Sequence, residues 1–173
     1  LTLTWENART AGRWWTLALF HVSHGGSVLR LTRTVAACNY LAPRLLAMRV
    51  VTLSGLYGVV LTGCAMSTAL GMLVLARRNV FGARGAPGRS ALEINGGGGC
   101  VYALLVAACL NGGGAKLQSS ANAAFGMSPF ELLMLNIAFD AVFLAGQKRI
   151  ADYTAHTGAA LGAWLYCSLS QFK

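Results

Sequence analysis

An uncharged run from Val50 to Ala76, closed by Arg49 on one side and Arg77-Arg78 on the other, constrains this chain more than any other feature. About 20 consecutive apolar residues suffice to cross the hydrocarbon of a bilayer. Two more uncharged stretches follow, Ile94 to Ala115 and Tyr153 to Phe172. Ser128 to Gly146 is equally apolar but carries Glu131 near one end and Asp140 inside, and Ser27 to Ala47 carries Arg30, Arg33 and Arg44. Charges inside such helices need partners and do not suit a lipid-facing position all round. Only 11% of the 173 residues are charged, against about 25% in a typical soluble domain. With 55% hydrophobic residues, a polar coat is missing and intrinsic disorder is excluded. The expectation is an all-α, polytopic membrane helix bundle of about five transmembrane helices, forming a single domain over 1–173.

The net charge is +9. The basic residues sit between apolar runs rather than on one amphipathic surface, so the pattern is that of membrane-flanking cations and not of a nucleic-acid interface. Counted over alternating spans, the basic excess falls on the side of the N-terminus, which places that side in the cytoplasm or a matrix. Arg77, Arg78, Arg84 and Arg89 concentrate in one loop and suit the headgroups of anionic phospholipid such as cardiolipin. Lipids and other membrane subunits are the expected partners.

Motifs for cofactors are lacking. Gly96-Gly97-Gly98-Gly99 is not followed by Lys-Ser or Lys-Thr, so it is not a phosphate loop. His21 and His24 have no third ligand at metal-binding spacing. Five cysteines, Cys38, Cys64, Cys100, Cys109 and Cys167, form no Cys-x-x-Cys pair and read as small buried hydrophobes. Residues 1–26 read as an N-terminal interfacial segment. Its run from Trp14 to Ser23 is too short to span, and paired tryptophans favour the membrane–water boundary; the alternative is a first turn of the next helix.

Three segments, in order, resemble the rhomboid family of intramembrane serine proteases. Trp15 to Arg33 resembles the interfacial loop and second core helix. Gly96-Gly97-Gly98-Gly99-Cys100-Val101-Tyr102-Ala103-Leu104-Leu105 resembles the Gly-x-Ser-Gly helix start. Asp152-Tyr153-Thr154-Ala155-His156-Thr157-Gly158-Ala159-Ala160-Leu161 resembles the Ala-His-x-Gly-Gly helix. Asp152 together with Trp164-Leu165-Tyr166 is most similar to the mitochondrial, presenilin-associated branch. The family's first core helix has no counterpart in Leu1 to Arg13, which carries Glu6, Arg9 and Arg13.

Carried over position by position, the resemblance implies a pseudoprotease. The nucleophile position falls on Gly98, which has no side chain to attack with. The base falls on His156. The oxyanion-binding His and Asn positions fall on Leu29 and Arg33, or on Gly26 and Arg30 in the register anchored at Phe20-His21. Cys100 lies two residues past Gly98, about 200° around a helix, and Ser90 belongs to the basic loop, so neither replaces the serine readily. His156 is then a vestigial base, a proton-linked switch, or a core histidine bonded to a neighbour. Close helix packing is expected at Gly158, Gly162, Ala159 and Ala163, opposite Gly98 and Gly99. Asp140 is expected to pair with Arg33 or Arg30 or with a partner subunit, unless the arginines snorkel. Three functions follow. The first is a structural subunit of a mitochondrial inner-membrane assembly such as a respiratory complex or ATP synthase. The others are a client-binding pseudoprotease and a residual protease using Cys100 with His156.

Overall fold

The computed structural model describes residues 3, 4, 6, 13, 15–22, 28–47, 52–81, 94, 96–111, 127–146 and 150–170. These are all-α, without a strand among them. A single turn, α1 (Thr16–Leu19), runs into a 3-10 turn at Phe20–Val22. The long elements are α2 (Val28–Ala47), α3 (Leu53–Phe81), α5 (Pro129–Gly146) and α6 (Ile150–Ser170), with the shorter α4 (Gly99–Leu110) between them in sequence. Within α3, Leu53–Arg77 is long and apolar enough, by length and composition, to cross a membrane.

Burial on α3 recurs every fourth residue: Val59, Gly63, Ser67, Gly71 and Leu75 face inward, while Tyr57, Leu61, Ala65, Ala69 and Leu73 are exposed. The outward stripe is as apolar as the inward one, whose middle residues, Gly63, Ser67 and Gly71, are small. The inward face packs most extensively on α6. A Cβ on Gly162 would collide with the Thr62 carbonyl, and one on Gly158 would sit 2.5 Å from Ser67 Cα. These two glycines let the backbones touch, as small residues do between apolar helices. Ser67 Oγ donates to the Ala155 carbonyl at 2.7 Å across the same seam. Gly158 and Gly162 therefore pack on α3, not opposite Gly98 and Gly99 as the sequence suggests. Ala159 alone meets that expectation, its Cβ lying 3.1 Å from where a Cβ on Gly99 would be. Ala163 is buried with Val59, Ala103, Ala107 and Cys167.

The centre of the bundle is α4, which touches α2, α3, α5 and α6. Its residues Val101 to Leu105 are all buried. It is 12 residues long, about 18 Å at 1.5 Å per residue, and so much shorter than the uncharged stretch Ile94 to Ala115. The glycines account for the difference at its start. Gly96–Gly98 make a turn in which Gly99 N–H donates to the Gly96 carbonyl at 2.9 Å, and Gly96 N–H itself donates to the Phe20 carbonyl at 3.1 Å. At the other end the Asn111 side chain donates to the Ala107 carbonyl at 2.8 Å.

On α2, Leu41 and Leu45 pack with Val101, Leu104, Leu105 and Ala108 of α4. Arg44 folds back, donating to the Tyr40 carbonyl at 3.2 Å and covering the Tyr40 ring at 3.7 Å. α5 opens on a capping box: Ser128 N–H donates to Glu131 Oε2 at 2.7 Å and Glu131 N–H donates to Ser128 Oγ at 3.2 Å, with Pro129 in the first helical position. Glu131 is thus a helix-starting residue. α6 begins at Ile150, so Asp152 lies in its first turn.

The N-terminal segment is only partly a surface element. Trp15, Leu19 and Val22 are exposed along one side of α1 and its 3-10 turn, while Thr16 and Phe20 are buried; Trp14 lies outside the described residues. Leu3 departs from the expectation for 1–26. It is fully buried and exchanges two backbone hydrogen bonds of 3.0 Å with Ile94. Leu3, Phe20, Leu75, Ile94 and Ala155 form one cluster at that end of the bundle. The pairing spans most of the chain and leaves no local pattern in the sequence.

Candidate functional site

Four helices each send one polar side chain to a common point. The Asp140 carboxylate of α5 stands at its centre and is 3% exposed. Its Oδ1 accepts from Arg33 Nη1 of α2 at 2.8 Å. Its Oδ2 accepts from the Tyr102 hydroxyl of α4 at 2.6 Å. His156 Nδ1 of α6 lies 2.7 Å from the same Oδ2, a close polar contact off the straight line of a hydrogen bond. The His156 ring stacks on Tyr102 with centroids 4.9 Å apart, and the Arg33 guanidinium covers the Phe139 ring at 4.6 Å. A second ion pair ties α2 to α6, Arg30 Nη1 to Asp152 Oδ2 at 3.1 Å, with Asp152 buried.

The pairing has a plain cause. An ionised carboxylate or guanidinium removed from water costs several kcal/mol unless matched and hydrogen-bonded. Both inward arginines of α2 have an aspartate opposite. Arg30 and Arg33 are three residues apart, so both fall on the face α2 turns to the bundle.

The other edge of His156 defines the site. A Cβ built on Gly98 would lie 2.6 Å from His156 Nε2 and 3.0 Å from Cε1. Gly98 has ordinary helical torsions, φ −89° and ψ −10°, so it is the space, not the backbone, that demands glycine. The imidazole therefore spans from a carboxylate to a bare backbone position. The arrangement places a carboxylate at one edge of the imidazole, as for a base beside its acid partner, and a glycine at the other. Position 98 has no room for a side chain, while a cavity of about 270 Å³ lined by Tyr102, Tyr153, His156 and Thr157 opens beside the imidazole.

Of the residues singled out from sequence, Gly98 and His156 face one another. Arg33 reaches the cluster through Asp140. Leu29 does not: it is 52% exposed, because α2 turns residues 30, 33 and 34 inward and leaves 29 on the outer face. In the alternative register, Arg30 is committed to Asp152, and Gly26 lies outside the described residues. Cys100 Sγ is turned to Cys38 Sγ at 3.4 Å and lies 3.9 Å from the Gly97 carbonyl. Arg77 is exposed near the end of α3, whereas the Arg78 side chain, Arg84 and Arg89 lie outside the described residues. Sequence reasoning passed over Tyr102, the second donor to Asp140, and the partnership of Asp152 with Arg30. The available signal was charge arithmetic: two intrahelical arginines require two acceptors.

Near the site, His21 Nε2 lies 3.0 Å from Thr68 Oγ1. Burial pushes this imidazole down to about 4 from its usual 6.5. Besides the cavity at His156, two other openings flank the bundle. A cleft of about 270 Å³ lies between α2 and α5, floored by Val101 and Leu105 of α4. A groove of about 640 Å³ runs between α3 and α6 past Ala65, Ala69 and Leu165.

Comparison of the chain with protein-family models, with curated proteins and with solved structures finds no match.

Proposed function

We propose that this chain is a non-catalytic, rhomboid-like integral membrane protein that serves as a structural subunit of a larger assembly, with the mitochondrial inner membrane as its home. The observation that carries the reading is the closed contact between Gly98 and His156. A histidine beside a buried carboxylate, facing a position with neither a side chain nor space for one, suits an architectural role. The Arg33–Asp140–His156–Tyr102 cluster joins α2, α4, α5 and α6 and holds the bundle in one arrangement. Apolar surface is abundant on α2, α3 and α5, where Leu31, Val35, Leu61, Leu73, Phe130 and Val142 are exposed; lipid and neighbouring helices are its natural cover. Phospholipid headgroups, cardiolipin among them, would meet Arg77 at the end of α3 and the basic loop that follows.

A second reading, a pseudoprotease that holds client helices, draws support from the cleft between α2 and α5. The two are separated by gentle solubilisation of the native membrane and measurement of the particle containing the chain. A stable, stoichiometric large complex supports the structural subunit. A small particle carrying many substoichiometric membrane proteins supports the client-binding reading and defeats the first.

A further inference from the structure

Cys38 on α2 and Cys100 on α4 are free thiols whose Sγ atoms lie 3.4 Å apart. We infer that this pair is a reversible oxidation site, a disulfide that forms between α2 and α4 when the protein meets a hydroperoxide. A disulfide bond is about 2.05 Å long and specific in geometry, so the two sulfurs, already in contact at 3.4 Å, close by a little over an ångström when it forms. Both residues are only partly buried, which leaves a path for a small oxidant.

The other cysteines are placed differently. Cys167 is buried and accepts from the Asn111 amide at 3.7 Å. Cys64 of α3 shares a small void with Cys100 and His21, but the sulfur-to-sulfur contact belongs to Cys38. The reaction balances in two steps. One thiol sulfur attacks the hydroperoxide, giving a sulfenic acid and releasing water or the alcohol. The second thiol sulfur then displaces the hydroxyl of the sulfenic acid, which leaves as water with the second proton. The two sulfurs give up two electrons and the peroxide bond takes them.

The consequence is mechanical. α2 is held by its apolar contacts with α4 and by the Arg30–Asp152 and Arg33–Asp140 ion pairs. A Cys38–Cys100 bond fastens it covalently to the first turn of the central helix, between the arginines and the packed leucines of α2.

The test uses the full chain in its native membrane. Membranes are treated with hydrogen peroxide, free thiols are blocked with N-ethylmaleimide, and the digested protein is analysed by mass spectrometry. The expected result is a linked peptide pair containing Cys38 and Cys100, lighter by two hydrogen atoms and restored by dithiothreitol. Cys64→Ser should leave the link intact, and Cys38→Ser should abolish it. Maleimide on both Cys38 and Cys100 after oxidation, separate sulfinic acids on each, or a link that moves freely among all the cysteines would overturn the inference.

Discussion

His156 Nε2 stands 2.6 Å from the point that a Cβ on Gly98 would occupy. Ordinary carbon contacts begin nearly an ångström further out, so any side chain at 98 must push the imidazole off Asp140 or move α4. Overpacking of this kind costs about 1–3 kcal/mol. Gly98→Ala and Gly98→Ser should both lower the Tm of the protein in detergent, and by similar amounts, because the collision belongs to Cβ. Wild-type melting of Gly98→Ala would mean the pocket has slack.

Asp140 ties α5 to Arg33 of α2 and Tyr102 of α4. Asp140→Asn leaves Arg33 buried beside a neutral amide, and breaking a buried pair costs about 3–5 kcal/mol. Arg33→Met alone should be similarly harmful. The double variant Arg33→Met/Asp140→Asn should cost much less than the sum, a coupling readable in a double-mutant cycle. Simple addition of the two losses would show the residues to be independent.

The α3–α6 seam depends on absent side chains. Gly162→Ala drives a methyl into the Thr62 carbonyl, and backbone cannot yield as a side-chain tip does. Gly162→Ala and Gly158→Ala are each expected to lower the Tm. Ala159→Gly, which removes a methyl lying against Gly99, should cost only about 1 kcal/mol. Equal tolerance at all three positions would argue against direct backbone contact.

His21 supplies a pH dependence. Its imidazole is held down to about 4 by burial, below the 6.5 of an unfolded chain, so the unfolded state binds the proton first. Stability from neutral His21 is complete above about pH 6.5 and is lost as pH falls toward 4. The ring is only partly buried, so the effect is modest. The Tm of wild type should decline over that window more than the Tm of His21→Gln, and parallel profiles would remove His21 as the cause.

Much of the helical layout was legible because uncharged stretches ended on charges or glycines. Val50–Ala76 became Leu53–Phe81, and Ser128–Gly146 became Pro129–Gly146. Charge placement likewise pointed to Arg33 with Asp140, since burial forces opposite charges together. Leu29 was misplaced because an ungapped register across the segment before α2 cannot fix which face of that helix turns inward. The glycines of α6 were assigned to the wrong neighbour for a related reason: small residues announce close packing without naming the partner. Leu3 with Ile94, and Cys38 with Cys100, are tertiary pairs between distant segments, and no local period encodes them.

Covalent labelling with mechanism-based serine and cysteine hydrolase probes addresses the central claim most directly, comparing the native protein with His156→Ala. The account predicts no labelling that depends on His156, at Cys100 or elsewhere. Labelling of the native chain that disappears in His156→Ala would establish a working nucleophile and contradict it.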